Sequence, residues 1–308
     1  HRSHWHKHIS VGINMSTISS LISSGGGGGS NVNDIKFTNN TANLITTESD
    51  EVWLKGGVTE TDVATYPDAT SKFAYSGVYI AVGPQGGLPY GATWDGTYFW
   101  ILNNQTVYKY SAAGVYQNVS WSVASQTDTG RDIVWDGTNF YVIGRNQNTV
   151  YSYNASGVYR NVSFSLSGMG LNGYAEGIAW DGTSFWISNG NGFGVFKFSA
   201  SGVYQNVTFA TSSQDTNMKA ITWDGTNFWA VGITNDKMYK YTAAGVYTGV
   251  DVSIVSYEGD AQGLVAVSGN LWVIGTHSDQ LQKFQPQIGI VASDISASGK
   301  GHNYVRIK

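Results

Sequence analysis

Residues 94–97 read Trp94-Asp95-Gly96-Thr97, and the same four residues return at 135–138, 180–183 and 223–226. Successive copies start 41, 45 and 43 residues apart. A fifth, degenerate copy spans residues 264–272 and aligns without gaps to the fourth copy at an offset of 43. A repeat of this length is typical of the four-stranded blades of a β-propeller.

The second copy shows how one blade is built. Residues 132–135, 140–144, 149–153 and 158–166 are short apolar-rich stretches separated by polar turns, which indicates four strands. Gly137 lies in the first turn, where a short hairpin loop requires the positive φ that glycine adopts without strain. Each copy is therefore predicted to be a four-stranded antiparallel meander.

A second repeated signature, Gly-Val-Tyr, predicts how the ring closes. It marks the fourth strand and begins at Gly77, Gly114, Gly157, Gly202 and Gly245, but the last repeat ends at Phe284 without one. The first signature lies before the first repeat and has no blade of its own. Pairing residues 73–82 with the unfinished last blade removes two exposed sheet edges. We therefore predict an all-β, five-bladed β-propeller closed by an N-terminal strand.

The remaining residues flank this propeller and divide the chain into four predicted parts. They are an N-terminal extension and Gly-rich arm (1–30), a small β-rich adaptor or anchoring segment (31–72), the propeller (73–284) and a C-terminal tail (285–308). Residues 1–14 hold four of the six histidines and are interpreted as an upstream extension. Clustered histidines can bind metals, but ligands need a fixed geometry, so we predict no metal site there.

Composition excludes several classes of protein. The chain has no cysteine, which excludes disulfides and thiol chemistry. Its net charge is -4, and only 12% of its residues are charged. Binding of nucleic acid is not expected, because it needs clustered Lys and Arg. No apolar run approaches the 18 or more residues of a membrane-spanning helix, so no membrane insertion is expected.

The repeated aromatic residues have two interpretations. Trp94 and Phe99, with their equivalents in the next three repeats, could serve as stacking platforms for sugars or as packing between blades. Packing is favoured, because it demands the same residue at the same register in each blade. The repeated sequons beginning at Asn118, Asn161 and Asn206 are likewise interpreted as repeat architecture, and Asp95 and its equivalents as turn residues.

Loop variation predicts where a ligand would bind. The turns joining strands one to two and three to four are nearly constant, and we name their side of the disc the constant face. The opposite side, with the two-to-three loops and the loops between blades, is the varied face, where a partner would be recognised. Four positions before each Trp94-type position, five polar side chains are predicted to ring the mouth of the central channel: Tyr90, Arg131, Glu176, Lys219 and Gln262.

Further candidate ligand-binding residues come from the two-to-three loops of the varied face. They are Arg145, Asn146, Asn148, Asn189, Asn191, Asn235, Asp236 and His277. The ring at the mouth could bind a small polar ligand, but its interpretation as a self-compensating, solvated rim of charges is favoured. No catalytic constellation, cofactor site or metal site is visible, since His277 and His302 lack a nucleophile partner and no two carboxylates fall in equivalent close positions. We therefore expect that the chain is not an enzyme.

Three features together resemble the structural proteins of tailed bacteriophages. They are the opening from Met15 with its Gly run, the stretch 52–58 followed by Tyr66-Pro67-Asp68-Ala69, and the Trp-Asp-Gly-Thr repeats; the ending 304–308 is similar to such proteins as well. The resemblance implies a virion component, in the tail, tail fibre or tail tip, that is oligomeric within the particle. Its N-terminal arm would bind other virion proteins, while the propeller would bind a host surface glycan or protein.

A different class of function remains open from the residues alone. A secreted lectin-like propeller, or a carbohydrate-active enzyme with an acidic pocket at the channel mouth, would use the same varied face. The hydrolase alternative requires two carboxylates about 5 to 10 Å apart in a cleft. The spatial arrangement of the mouth residues therefore discriminates between the hypotheses.

Overall fold

A computed structural model describes residues 73–286, except 169, 170, 172 and 193, together with the backbone of five strands outside this range. The predicted N-terminal arm, residues 1–30, lies outside the described residues. Contacts divide the chain into two units, Phe73–Pro286 and the combination of His1–Lys72 with Gln287–Lys308. Across the described part, no helix is long and apolar enough to cross a membrane.

The described residues form 25 strands and one short 3-10 helix, Gly83–Gln85, so the fold is all-β. The first four strands are β1 (Ile35–Lys36), β2 (Asn43–Glu48), β3 (Glu51–Lys55) and β4 (Phe73–Ala81). Blade 1 contains β5 (Pro89–Trp94), β6 (Tyr98–Asn103), β7 (Thr106–Ser111) and β8 (Tyr116–Ser122). Blade 2 contains β9 (Gly130–Trp135), β10 (Asn139–Gly144), β11 (Thr149–Asn154) and β12 (Tyr159–Ser165).

The later blades repeat this order. Blade 3 contains β13 (Ala175–Trp180), β14 (Ser184–Asn189), β15 (Gly194–Ser199) and β16 (Tyr204–Phe209). Blade 4 contains β17 (Met218–Trp223), β18 (Asn227–Gly232), β19 (Lys237–Thr242) and β20 (Tyr247–Ser253). The fifth repeat supplies β21 (Ala261–Val267), β22 (Asn270–Gly275) and β23 (Gln280–Pro286), and the chain ends with β24 (Ser296–Ser298) and β25 (His302–Ile307).

The predicted five-bladed ring and its closure are confirmed. Blades 1 to 4 are antiparallel meanders of consecutive strands, whereas blade 5 has the order β21-β22-β23-β4. The closing strand β4 pairs antiparallel with β23 from Ala81 opposite Gln280 to Phe73 opposite Pro286. Ser76 Oγ also donates to the carbonyl oxygen of Lys283 at 3.0 Å. The strand before the first repeat therefore completes the last blade.

The second unit contains a separate five-stranded sheet of order β1-β2-β3-β25-β24. Strand β25 pairs antiparallel with β3, with Ile307 opposite Val52 and Tyr304 opposite Lys55. Residues 285–308, which sequence analysis treats as a tail, thus contribute two strands to a sheet shared with residues 31–72.

Aromatic rings pack between neighbouring blades. The second-strand Trp or Tyr of one blade contacts the buried Phe of the next, with ring centroids 4.5 to 4.9 Å apart in Trp100–Phe140, Tyr141–Phe185, Trp186–Phe228 and Trp272–Phe99. Trp94 packs on Phe99 of its own blade at 4.6 Å. These rings form the core, as favoured from the sequence.

The Asp of the repeated tetrapeptide stabilises its turn. Asp95 Oδ1 accepts the backbone N–H groups of Thr97 and Tyr98 at 2.8 and 2.7 Å, and Oδ2 accepts the indole N–H of Trp100 at 2.6 Å. Asp181 and Asp224 make the same three contacts in blades 3 and 4. These carboxylates are turn residues and carry no visible chemistry.

The sequon asparagines also have a structural explanation. Asn118, Asn161 and Asn206 each have φ of 55°, in the left-handed region that Asn tolerates better than most residues. The corresponding strand of blade 4 has Gly249, with φ of 83°. Backbone conformation, rather than glycan attachment, therefore accounts for Asn at this position.

Candidate functional site

The five inner strands bring the predicted ring residues to the varied face of the channel. Each of Tyr90, Arg131, Glu176, Lys219 and Gln262 is the second residue of its inner strand, one strand per blade. Inner strands of neighbouring blades contact one another around the ring. Equivalent residues of adjacent blades consequently come within reach of each other.

Glu176 is the centre of this arrangement. It is 2% exposed, and its Oε2 lies 3.5 Å from Nε of Arg131. Its Oε1 lies 3.3 Å from an Nη atom of Arg145 and 3.2 Å from Nζ of Lys219. We name these four residues the mouth cluster. The structure thus joins residues from three inner strands with Arg145, which comes from the two-to-three loop of blade 2.

The other two ring residues differ in their contacts. The guanidinium of Arg131 lies over the ring of Tyr90, 4.6 Å from its centroid, which extends the cluster into blade 1. Gln262 instead donates to Asp260 Oδ1 of its own blade at 2.6 Å. The structure therefore brings four of the five ring residues into one continuous chain of contacts and leaves Gln262 outside it.

The mouth cluster has more positive than negative charge. Three cations, Arg131, Arg145 and Lys219, surround the one carboxylate of Glu176. Arg145 Nε is already used by the carbonyl oxygen of Gly173 at 2.6 Å. Arg131 Nε is buried without a hydrogen-bond partner in the part of the chain that the structure describes. Three cations around one largely buried carboxylate favour a site that accepts an anion.

Gly190, in the two-to-three loop of blade 3, leaves the space that the Glu176 side chain occupies. A Cβ at this position would lie 2.7 Å from Cγ and 3.1 Å from Oε1 of Glu176. The first contact is closer than real Cβ atoms approach and the second is tight, so the Glu176 side chain would have to shift if a larger residue stood here.

Asp132 was not among the site residues predicted from the sequence. The equivalent position in the other inner strands holds a small residue, Gly91, Gly177, Ala220 or Gly263. Asp132 is 1% exposed, and its two oxygens accept the backbone N–H groups of Ile133 at 2.8 Å and Ile178 at 2.9 Å. Asp132 could have been predicted as a site residue, because it is the one carboxylate at a position where the other four inner strands have Gly or Ala.

The charge of Glu176 also acts on Asp132. Burial raises the pKa of Asp132 well above its ordinary value, the two N–H bonds oppose this, and the negative charge of Glu176 raises it further. No two carboxylates were expected near each other, because none occupy equivalent positions in the repeats. Asp132 and Glu176 are neighbours in the structure although they occupy different positions of their inner strands.

Several predicted loop residues are used within the loops themselves. Asn148 Oδ1 accepts the N–H of Gly173, and the buried Asn189 uses its Oδ1 on the N–H of Asn191 at 2.6 Å. Asn235 donates its side-chain amide to Gln214 O at 2.9 Å. These side chains hold the varied face in shape.

Three of the four remaining loop residues are exposed and therefore more available to a ligand. Asn191 and His277 are exposed, and His277 makes its backbone bond to the buried Glu258 at 3.1 Å. Asn146 is exposed and donates to Thr129 Oγ1 at 3.0 Å. Asp236 Oδ1 is buried and has no hydrogen-bond partner among the described residues. The hydrogen bonds described for these four residues do not involve the mouth cluster.

Metal ligation has no candidate in the described part of the chain, where no group of three or more His, Cys, Asp or Glu residues could hold an ion. The N-terminal histidines lie outside the described residues.

No protein-family model and no curated protein matches the chain. Among solved structures, it is similar to Myxococcus xanthus glutaminyl cyclase, with a TM-score of 0.57, 10% identity, and coverage of 70% of this chain and 96% of that one. It is also similar to Staphylococcus aureus virginiamycin B lyase, with a TM-score of 0.43, 13% identity, and coverage of 77% and 100%. At these identities the likeness shows the fold alone.

The cyclase overturns the expectation that the chain is not an enzyme. That expectation depended on finding no catalytic constellation in the sequence, where His277 and His302 lack a nucleophile partner and no two carboxylates fall in equivalent close positions. An enzyme has the same architecture, so the fold gives no ground for excluding catalysis. The resemblance to phage tail proteins is not tested by these comparisons and stays a prediction.

Proposed function

We propose that this propeller recognises an anionic ligand at the mouth of its channel, and that the ligand is an acidic glycan. The observation that carries the proposal is the mouth cluster, in which three cations share one buried carboxylate. A carboxylate or sulfate group would offset the excess positive charge and supply acceptors for donors that Glu176 leaves unused.

The surroundings of the cluster support a sugar as the carrier of that charge. Tyr90 lies beside Arg131 and offers an aromatic face with a polar edge, which suits the mixed surface of a sugar ring. The side chains of Arg131 and Lys219 are held in place, at 15% and 13% exposure, so little ordering is needed when a ligand binds.

Isothermal titration calorimetry with glucuronate, and with glucose as the neutral reference, tests the proposal. Arg131→Gln and Lys219→Gln should each weaken glucuronate binding about tenfold, as expected for one charge-assisted hydrogen bond. Lys237→Gln is the matched control, because Lys237 pairs with Asp251 at 2.9 Å and lies outside the cluster. Equal binding of glucose and glucuronate, or equal loss in all three variants, would contradict the proposal.

The biological setting proposed for this binding is attachment of a bacteriophage to its host. The support is the sequence resemblance in residues 52–58, in the repeats and in the ending 304–308. On this proposal the chain is a tail, tail-fibre or tail-tip component of the virion. Mass spectrometry of purified particles, followed by competition of host adsorption with the isolated chain, tests it; absence of the chain from particles would reject it.

A second candidate, a carbohydrate-active enzyme, is favoured by the neighbouring carboxyls Asp132 and Glu176. Their environments differ, as those of acid and base partners do, since burial raises the pKa of Asp132 well above its ordinary value while Glu176 lies against three cations. Hydrolysis of acidic oligosaccharides that is lost in Glu176→Gln would support this candidate. Binding without turnover by the wild-type chain would leave recognition alone.

A further inference from the structure

Blade 5 departs from the repeat on the constant face. Ala266 replaces the repeated Trp, Val267 replaces the Asp, and Leu271 replaces the buried Phe. At the boundary between blades 4 and 5, two large rings are therefore missing. The contact that Trp229 would make with a Phe of the next blade is made with Phe73 of the closing strand, with ring centroids 5.0 Å apart and an interplanar angle of 72°.

These replacements leave a cavity of about 260 Å³ between the two blades. Its buried floor is formed by Trp229 and Leu271, and Phe73 forms one wall. The rim is polar and consists of Asp224, Thr226, Asn227, Gly269 and Asn270. The cavity thus combines an apolar floor with a polar opening to solvent.

The groups on the rim favour a neutral ligand. Both oxygens of Asp224 are already occupied, Oδ1 by two backbone N–H groups and Oδ2 by the indole of Trp229. No Lys, Arg or His lines the cavity, so an anion would find no opposite charge beside this carboxylate. The side chains of Thr226 and Asn227 make no hydrogen bond in the region that the structure describes, and they can donate to and accept from hydroxyl groups.

We propose that this cavity is a second ligand site, on the opposite face from the mouth cluster, which binds one neutral sugar ring. The aromatic wall and apolar floor would contact the C–H face of the ring. The amide of Asn227 would bind its hydroxyl groups, together with Oδ1 of Asn270, whose Nδ2 already donates to the carbonyl oxygens of Val267 and Ser268. The proposal does not depend on anion binding at the channel mouth.

Ligand-observed saturation-transfer NMR with methyl glycosides of glucose, galactose and N-acetylglucosamine tests the site. Leu271→Phe restores the repeat residue and places a larger side chain in the cavity, beside Phe73, so it should abolish the transfer signal. Asn270→Ala should weaken binding at least tenfold. Asn139→Ala is the matched control, because Asn139 occupies the same turn position in blade 2 and should leave binding unchanged.

Two results would overturn the site: no saturation transfer to any of the three glycosides, or a signal that persists in both Leu271→Phe and Asn270→Ala. Glucuronate binding by Leu271→Phe separates this site from the mouth cluster. The glucuronate affinity of Leu271→Phe should equal that of the wild-type chain. Loss of glucuronate binding in this variant would show that the substitution disturbs the whole propeller, which would count against a local site.

Discussion

Asp132 Oδ2 accepts the backbone N–H of Ile178 at 2.9 Å, so a carboxyl of blade 2 is bonded to the inner strand of blade 3. In the other blades this position is Gly or Ala, and neighbouring inner strands approach closely enough that a Cβ at Gly177 would lie 2.6 Å from Cα of Ala220. Asp132 thus makes a polar bond between blades at a level of the channel where the other blades have only small residues.

Asp132 should make the stability of the propeller depend on pH. Burial raises its folded pKa above the ordinary value of 3.8, so the folded chain holds a proton that the unfolded chain releases. Its contribution to stability is therefore complete below about pH 3.8 and declines as the pH rises toward the folded pKa. Denaturant unfolding at pH 4 to 7 should show wild-type losing stability relative to Asp132→Gly as the pH rises. A constant difference would contradict the assignment.

Asp181 should show the opposite dependence. Burial raises its pKa, but hydrogen bonds from Trp186, Thr183 and Ser184 outweigh this, and the net pKa is lowered. Asp181→Asn should cost about 1 to 3 kcal/mol at pH 7, since bonds to a charged acceptor are lost. The difference from wild-type should shrink as the pH falls below the ordinary value of 3.8, because the wild-type carboxylate is then protonated. Unfolding curves in which the difference grows in acid would be inconsistent with this role.

Gly190→Ala should disturb the mouth cluster. The new Cβ would lie 2.7 Å from Cγ of Glu176, and three cations hold that side chain in place, so overpacking should cost about 1 to 3 kcal/mol. Gly259→Ala is the matched control, because a Cβ there meets no atom within 4 Å. Denaturant unfolding of both variants measures the effect, and equal stabilities would show that Glu176 moves freely.

Closure of the ring can be tested at single residues of β4. Ile80 is 3% exposed and lies opposite Leu281, so Ile80→Ala should reduce the free energy of unfolding by about 2 to 5 kcal/mol. Val78 is 49% exposed on the same strand, and Val78→Ala should change it by no more than about 0.5 kcal/mol. If β4 is needed for the whole ring, Ile80→Ala should keep a single cooperative transition. Loss of blade 5 alone would appear as a second transition.

The blades and their closure were predictable because, in a regular repeat, an extra or a missing copy of a motif can be recognised in the sequence. The extra Gly-Val-Tyr signature at Gly77 and the missing one after Phe284 could be paired by counting, since unpaired strand edges are unfavourable. The positions of Arg131, Glu176 and Lys219 at the mouth followed from the same register.

The contacts within the site were less predictable. Arg145 reaches Glu176 from a loop of a different blade, and no register rule relates these two positions. Asp132 was visible only as a departure from a column of small residues. Predicting the cavity of blade 5 would have required the position of Phe73. This residue reaches Trp229 because the pairing of β4 continues further than that of the fourth strand in the other blades. Side-chain reach and loop path decide such contacts, and the repeat period does not encode them.

The pairing of Phe73 with Pro286 means that the polypeptide enters and leaves the propeller at one point. Paired residues in antiparallel strands have Cα atoms only about 5 Å apart. The two ends of the ring, Phe73 and Pro286, are therefore close enough that another ring with the same seam could take its place. This seam makes the propeller exchangeable as a unit, because one ring could replace another at these two residues while the flanking polypeptide stays unchanged.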